Sequence, residues 1–179
     1  MKQQNSFLPQ DLLYQQALAA HESELIRVAA GYERDPAKRP DLLQDIHLAI
    51  WRSMAVFKEQ CSLRTWVYRV AHNVGATHVQ RNLRPTERNH TDLDALAWHI
   101  DESTDVACSD RQLDLARVMQ FIHSLGPLDR EIMLLYLEGI DAATSSDITG
   151  LSVQNIATKI HRIKHLLSTA FTSGVHHNE

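Results

Sequence analysis

The stretch CSLRTWVYRVAHNV, Cys61 to Val74, has helical spacing but crowds Arg, Trp, Tyr, His and Asn together. Aromatic faces interleaved with cations suit single-stranded nucleic acid, because every base offers a ring face that stacks on an aromatic side chain for roughly 1–3 kcal/mol. At about 100° per residue, Leu63, Val67, Val70 and Val74 fall in one sector with Trp66 at its margin, which makes them the expected core stripe. The opposite side carries Thr65, Tyr68, Arg69, His72 and Val79, and Arg64 and Asn73 lie on the flanks. A merely solvated outer face is the competing reading.

A second constellation lies near the C-terminus. DAATSSDI reads as a short helix, TGLS as a turn with Gly150 suited to positive φ, and Ser152 as the cap of VQNIATKIHRIKHLLSTAF. Two helices joined by a short Gly-containing turn make a helix-turn-helix pattern. The second helix is expected to bury Val153, Ile156, Ala157, Ile160, Ile163 and Leu167. It is expected to present Asn155, Thr158, Lys159 and Arg162, with Gln154 and His161 on the flanks. Amides suit adenine edges, Arg and Lys suit guanine or phosphate, and the Thr methyl suits thymine. An ordinary helical hairpin is the alternative.

A third group sits in DLLQDIHLAIW. Asp41, Gln44 and Asp45 are spaced i, i+3 and i+4 and share a flank, with Leu48 and Trp51 also pointing away from the apolar stripe Leu42, Ile46, Ala49 and Ile50. An outward Trp beside acidic and amide groups suits a protein partner, whereas a Trp51 packed on the preceding helix is the competing reading. The 11 histidines raise a metal-dependent helical enzyme as a reading from another class, but none forms an HxxxH pair on one helix beside an acid. No P-loop, dinucleotide motif or nucleophile–base arrangement occurs, so neither an enzyme activity nor a cofactor is expected.

The elements that must carry these groups are all helical. The periodicity predicts helices from Asp11 to about Ala30, Asp41 to about Val56 and Leu63 to about Leu83, then RQLDLARVMQFIHSL, LDREIMLLYLEG and the two helices above. Gly31, Pro36 and Pro40 break the first two apart, Ser62 is placed to cap the third, and Gly126-Pro127 stops the fourth. Between them RPTERNHTDLDALAWHIDESTDVACSD is polar and weakly periodic, with room for one turn at Leu93–Trp98. Charge is segregated within a net −4: residues 30–90 carry ten Lys/Arg against six Asp/Glu, and residues 91–126 two against seven. Two distant cysteines, Cys61 and Cys108, argue for a reducing compartment. No apolar run reaches signal-peptide or membrane-span length, so a cytoplasmic chain without membrane insertion is expected. The expected architecture is all-α: residues 1–90 as one small helical domain, 91–109 as an acidic linker, and 110–179 as a helix-turn-helix domain.

DLLQDIHLAIWRSMAVFKEQCSLRTWVYRVAHNVGATHVQRNLR resembles region 2 of bacterial sigma factors of the extracytoplasmic-function group, and LGPLDREIMLLYLEGIDAATSSDITGLSVQNIATKIHRIKHLL resembles their region 4. The resemblance implies an alternative sigma factor, which binds core RNA polymerase and directs initiation at chosen promoters. It implies that Asp41, Gln44 and Asp45, with Leu48 and Trp51 beside them, contact the β′ clamp helices. It implies that the −10 element, partly opened to a single strand, is held by Lys58, Arg64, Tyr68, Arg69, His72 and Asn73, with Asn73 at the family's R-x-A-x-N position. It implies that Ser152, Gln154, Asn155, Thr158, Lys159 and Arg162 read the −35 duplex, that the C-terminal unit meets the β flap, and that an anti-sigma factor occludes these surfaces. The acidic Asp92, Asp94, Asp101 and Glu102 are expected to thread the polymerase interior. The chain departs from the family in Gln80 and Asn82 among the arginines after the third helix, and in Ser145 and Ser146 where a large aliphatic residue and Ala are usual. A stand-alone helix-turn-helix regulator is the alternative.

Overall fold

The computed structural model describes residues 9–82 and 110–173; the expectations for the acidic stretch and for Leu93–Trp98 fall outside them. Seven helices run in order: α1 (Pro9–Tyr32), α2 (Arg39–Met54), α3 (Leu63–Asn82), α4 (Asp110–Ser124), α5 (Pro127–Leu137), α6 (Ala142–Thr149) and α7 (Val153–Ser173). Their ends follow local chemistry. Ser62 Oγ accepts the Thr65 amide at 3.0 Å and so caps α3, and Asp141 Oδ1 does the same for α6 through the Thr144 amide at 2.9 Å. Proline stands in the first turn of α2 and of α5, where its missing N–H costs nothing. Gly150 ends α6 in the left-handed region at φ 76°, and Ser152 Oγ accepts the Asn155 amide at 3.3 Å where α7 begins.

Helices α1, α2 and α3 pack against one another as a bundle. Leu42, Ile46, Ile50 and Met54 of α2 meet Leu25, Val28 and Ala29 of α1 and Val67 and Ala71 of α3, all buried. The same cluster continues into Phe121, Ile122, Leu125, Met133, Leu134 and Ile163, so the buried apolar surface runs from the first three helices into the last four. Leu134 of α5 lies against the backbone of Gly31: a Cβ there would stand 2.5 Å from Leu134 Cδ2. Gly75 gives α3 a similar slot, in which the ring of Tyr32 lies where a Cβ would be.

Helix α3 buries a different face from the expected one. Thr65, Val67, Tyr68, Ala71, His72, Gly75 and Val79 are buried, whereas Leu63, Val70 and Val74 are only partly so. Trp66 is half-buried against the core, and its indole N–H donates to Ser53 Oγ at 2.9 Å.

Candidate nucleic-acid and protein interface

Three surfaces receive the residues singled out by the sequence. On α2, Asp41, Gln44, Asp45 and Leu48 are exposed in one strip, as the i, i+3, i+4 spacing requires. Trp51 continues the strip at 37% exposure. Its indole N–H donates to Asp11 Oδ1 at 2.9 Å, and Gln10 Nε2 donates to its carbonyl at 2.7 Å. The two readings of Trp51 therefore combine: α1 fixes the ring, and its outer face remains on the surface.

The second surface is a groove of about 400 Å³ between α2 and α3. Asp45, Leu48 and Arg52 line one wall and Asn73, Thr77 and Arg81 the other. Asn73 is exposed within it. Leu48 and Val74 offer apolar contact and Asn73 an amide able to donate and accept at a base edge, while Arg52 and Arg81 supply charge for phosphate. Sequence reasoning missed Arg52 and Arg81. Arg52 stands seven residues after Asp45 on one helix face, so the spacing was available to find it.

The rest of the opening stretch is rearranged. Lys58 is exposed in the loop before α3, with Glu59 at a positive φ of 57° and the Lys58 amide held by Gln60 Oε1 at 2.9 Å. Arg64 is exposed, 3.6 Å from Glu24 Oε1, with its guanidinium 5.5 Å from the centre of the Tyr68 ring. Tyr68 and His72, expected to face outward, are 1% and 0% exposed. Tyr68 clusters with Leu135, Ile140 and Ile148 of the second half, so α5 and α6 cover it. Burial pushes its hydroxyl up to about 12. His72 stacks on Tyr68 at 6.0 Å, and its Nδ1 is hydrogen-bonded to the Tyr32 hydroxyl at 2.9 Å. Burial lowers the His72 imidazole to about 3, which keeps it neutral. Arg69 is partly buried and donates to the Asp147 carbonyl of α6. The reason for the correction is tertiary: periodicity placed one buried stripe on α3, but the second half packs on the other side.

On α7, Ser152, Gln154, Asn155, Thr158 and Arg162 are exposed along one side, and Ile156 and Ile163 are fully buried. Val153, expected inside, is 47% exposed, and Ala157 is exposed too. Lys159, expected on the exposed face, is half-buried, and its Nζ donates to Asp129 Oδ1 at 2.8 Å. That bond ties α7 to the first turn of α5, a link between residues too far apart in sequence for helix periodicity to reveal. Lys159→Met is therefore expected to cost about 1 kcal/mol of stability, read by urea denaturation, with Asp129→Asn similar and the double variant no worse than either.

Among the described residues, no group of three His, Cys, Asp or Glu side chains is placed to hold a metal, and no helix is long and apolar enough to cross a membrane. Residues 17–84 match the family described as sigma-70 region 2. They span α1 from its third turn, α2 and α3, the elements that build the strip and the groove. A Xanthomonas campestris protein named as RNA polymerase sigma factor RfaY is 27% identical over 84% of this chain, which spans 38% of that protein's length. The RNA polymerase sigma-H factor of Pseudomonas aeruginosa is 24% identical over 77% of this chain and 69% of its own. The fold is that of CnrH, solved in complex with the cytosolic domain of CnrY, at a TM-score of 0.64 and 21% identity over 89% of this chain and 88% of that one. The chain is thus similar to RNA polymerase sigma factors over most of its length, with the family match lying in residues 17–84.

Proposed function

We propose that this chain is an alternative sigma factor: it binds core RNA polymerase and directs promoter-specific initiation, with polymerisation left to its partner. The observation that carries this reading is the joint exposure of Asp41, Gln44, Asp45 and Leu48 on α2 with Asn73 in the adjoining groove, inside the segment that matches sigma-70 region 2. The α2 strip is the contact to the β′ clamp helices, and the C-terminal unit meets the β flap. Lys58, Arg64, Arg69 and Asn73 meet the −10 element as it opens, and Ser152, Gln154, Asn155, Thr158 and Arg162 read the −35 duplex. Residues 110–173 then form the −35 unit and the first three helices the −10 unit. An anti-sigma factor is a further partner; the solved complex of the structural neighbour CnrH with the cytosolic domain of CnrY supports it.

The test is transcription in vitro with core polymerase on a promoter library. Promoter-selective transcripts that depend on this chain are expected, and their absence alongside tight duplex binding would favour a stand-alone regulator. Asn73→Ala is expected to lower selective initiation about 5- to 150-fold by removing an amide from the base edge, which corresponds to roughly 1–3 kcal/mol. Because Asn73 is exposed, the thermal midpoint should not move.

A further inference from the structure

We infer that the cup between the end of α1, the end of α3 and the α4–α5 corner binds a small phosphate-bearing molecule, held chiefly by Arg34 and Arg130. This role is separate from transcription initiation and from the three surfaces assigned to it above.

The cup has a volume of about 270 Å³, and Arg34, His123 and Arg130 line it with Glu33, His78 and Asn82. Its charge follows from how α1 ends. The last carbonyls of a helix lack helical partners and draw in cations. Here α2, α4 and α5 each send a side chain to them. His123 Nε2 donates to the Ala30 carbonyl at 2.9 Å, Arg130 Nη1 to that of Tyr32 at 3.4 Å, and Arg39 Nε to that of Glu33 at 3.0 Å. A carbonyl is a dipole and not a full charge, so the guanidinium charges remain. Among the described residues, none of Arg34, Arg39 and Arg130 forms an ion pair with a carboxylate. The one carboxylate in the wall, Glu33, is already engaged: its Oε2 lies 2.7 Å from His78 Nε2, and its Oε1 accepts the Asp35 amide at 2.8 Å. The excess is felt at His123, whose imidazole is lowered first by burial and further by Arg130, Arg34 and Arg39.

A second observation points to an acceptor brought in from outside. Arg130 is 6% exposed, and its Nε has no hydrogen-bond partner among the described residues. A buried donor left unmade is costly, and an anion in the cup removes that cost. Arg34 is exposed at the mouth, and its planar fork suits two oxygens of one phosphate. A phosphate monoester has three terminal oxygens and close to two negative charges at neutral pH. It can accept the Arg34 fork and the recessed Arg130 donor together. A backbone diester has two free oxygens and a sugar on either side, which hold it away from a recessed donor. Val79 and Asn82 in the wall offer an apolar and an amide contact to the organic part of a small molecule.

The experiment titrates the isotope-labelled full chain with inorganic phosphate, replacing chloride at constant ionic strength, and follows amide and arginine Nε–H resonances by NMR. Thermal midpoints are the poorer readout, because phosphate stabilises folded proteins generally by exclusion from their surfaces. A saturable shift is expected at the Arg130 Nε–H and at the amides of Arg34 and Asn82. Arg34→Gln should weaken it about three- to tenfold, between the worth of an exposed ion pair and that of a charge-assisted hydrogen bond. Arg117→Gln removes the same charge from an exposed position on α4 outside the cup and should change it by less than about twofold. No shift, shifts that rise linearly with phosphate, or equal weakening in both variants would show a general ion atmosphere and overturn the site. Oligodeoxythymidylate added to the phosphate-loaded chain should leave the Arg130 resonance in place. Its return to the phosphate-free position would assign the cup to a strand phosphate and overturn the small-molecule ligand.

Discussion

Glu131→Gln is expected to gain stability over the wild type as pH rises from about 4.5 to 7, and His72→Phe to gain as pH falls from 6.5 toward 3. Burial raises the Glu131 carboxyl from 4.5 to about 7. In that window the folded chain holds a proton that the unfolded chain has released, so the wild type loses stability as pH rises. Burial lowers His72 from 6.5 to about 3. Here the unfolded chain binds the extra proton, so stability is full above 6.5 and is lost as pH falls through the window. Each group changes stability by about 1.4 kcal/mol per pH unit while it acts. Between 4.5 and 6.5 the two slopes oppose each other, and a wild-type profile alone hides both. His123, also lowered chiefly by burial, acts in the same direction as His72. At pH 7 Glu131→Gln should therefore be more stable than the wild type by about 3 kcal/mol at most. Urea midpoints measured for the three proteins from pH 4 to 7.5 decide the matter. Variant curves that run parallel to the wild type would show that neither group is held as its burial implies.

His72 also marks where reading the sequence stopped. Helix limits were legible because they are local: Ser62, Gly150 and Ser152 act on residues next to them, and the structure places each at a helix end. The α2 strip was legible because its apolar stripe is made of Leu and Ile, and exposure follows by elimination. Helix α3 was not. Its main buried stripe runs Tyr68, Ala71, His72, Gly75 and Val79, and three of these are residue types that do not announce a core. Tyr68 is buried because Leu135, Ile140 and Ile148 cover it, Gly75 because Tyr32 needs the space, and His72 because Tyr32 supplies its hydrogen bond. None of those partners is within 30 residues in sequence, so no window could contain the reason. Lys159 failed likewise, through Asp129. Asn73 remained on the surface because it sits between the two buried sides of α3, at the mouth of the groove.

Arg130→Met is expected to be the most damaging single change, at roughly 3–5 kcal/mol. Arg130 is 6% exposed, and no carboxylate is bonded to it. Its guanidinium instead donates to the carbonyls of Leu125 at 3.1 Å, Tyr32 at 3.4 Å and His123. These oxygens lie at the C-terminal ends of α1 and α4, where carbonyls lack helical partners and the helix dipoles are negative. One cation thus satisfies two helix ends and replaces an ion pair. Burial lowers its pKa to about 10, which leaves it charged at neutral pH. Methionine keeps much of the apolar stem but strands three acceptors inside the protein, and the α4–α5 corner loses one of its bonds to α1, the bond from His123 to the Ala30 carbonyl remaining. Lysine keeps the charge without the planar fork and can reach fewer of the three oxygens, so Arg130→Lys should fall between the wild type and Met. Urea denaturation gives the order, and hydrogen exchange gives the place: protection should fall first at the end of α1 and the start of α5. A loss below about 1 kcal/mol for Arg130→Met, the worth of a single ordinary hydrogen bond, would mean that water already satisfies these carbonyls and that the corner is held by Leu125 and Leu134 packing alone.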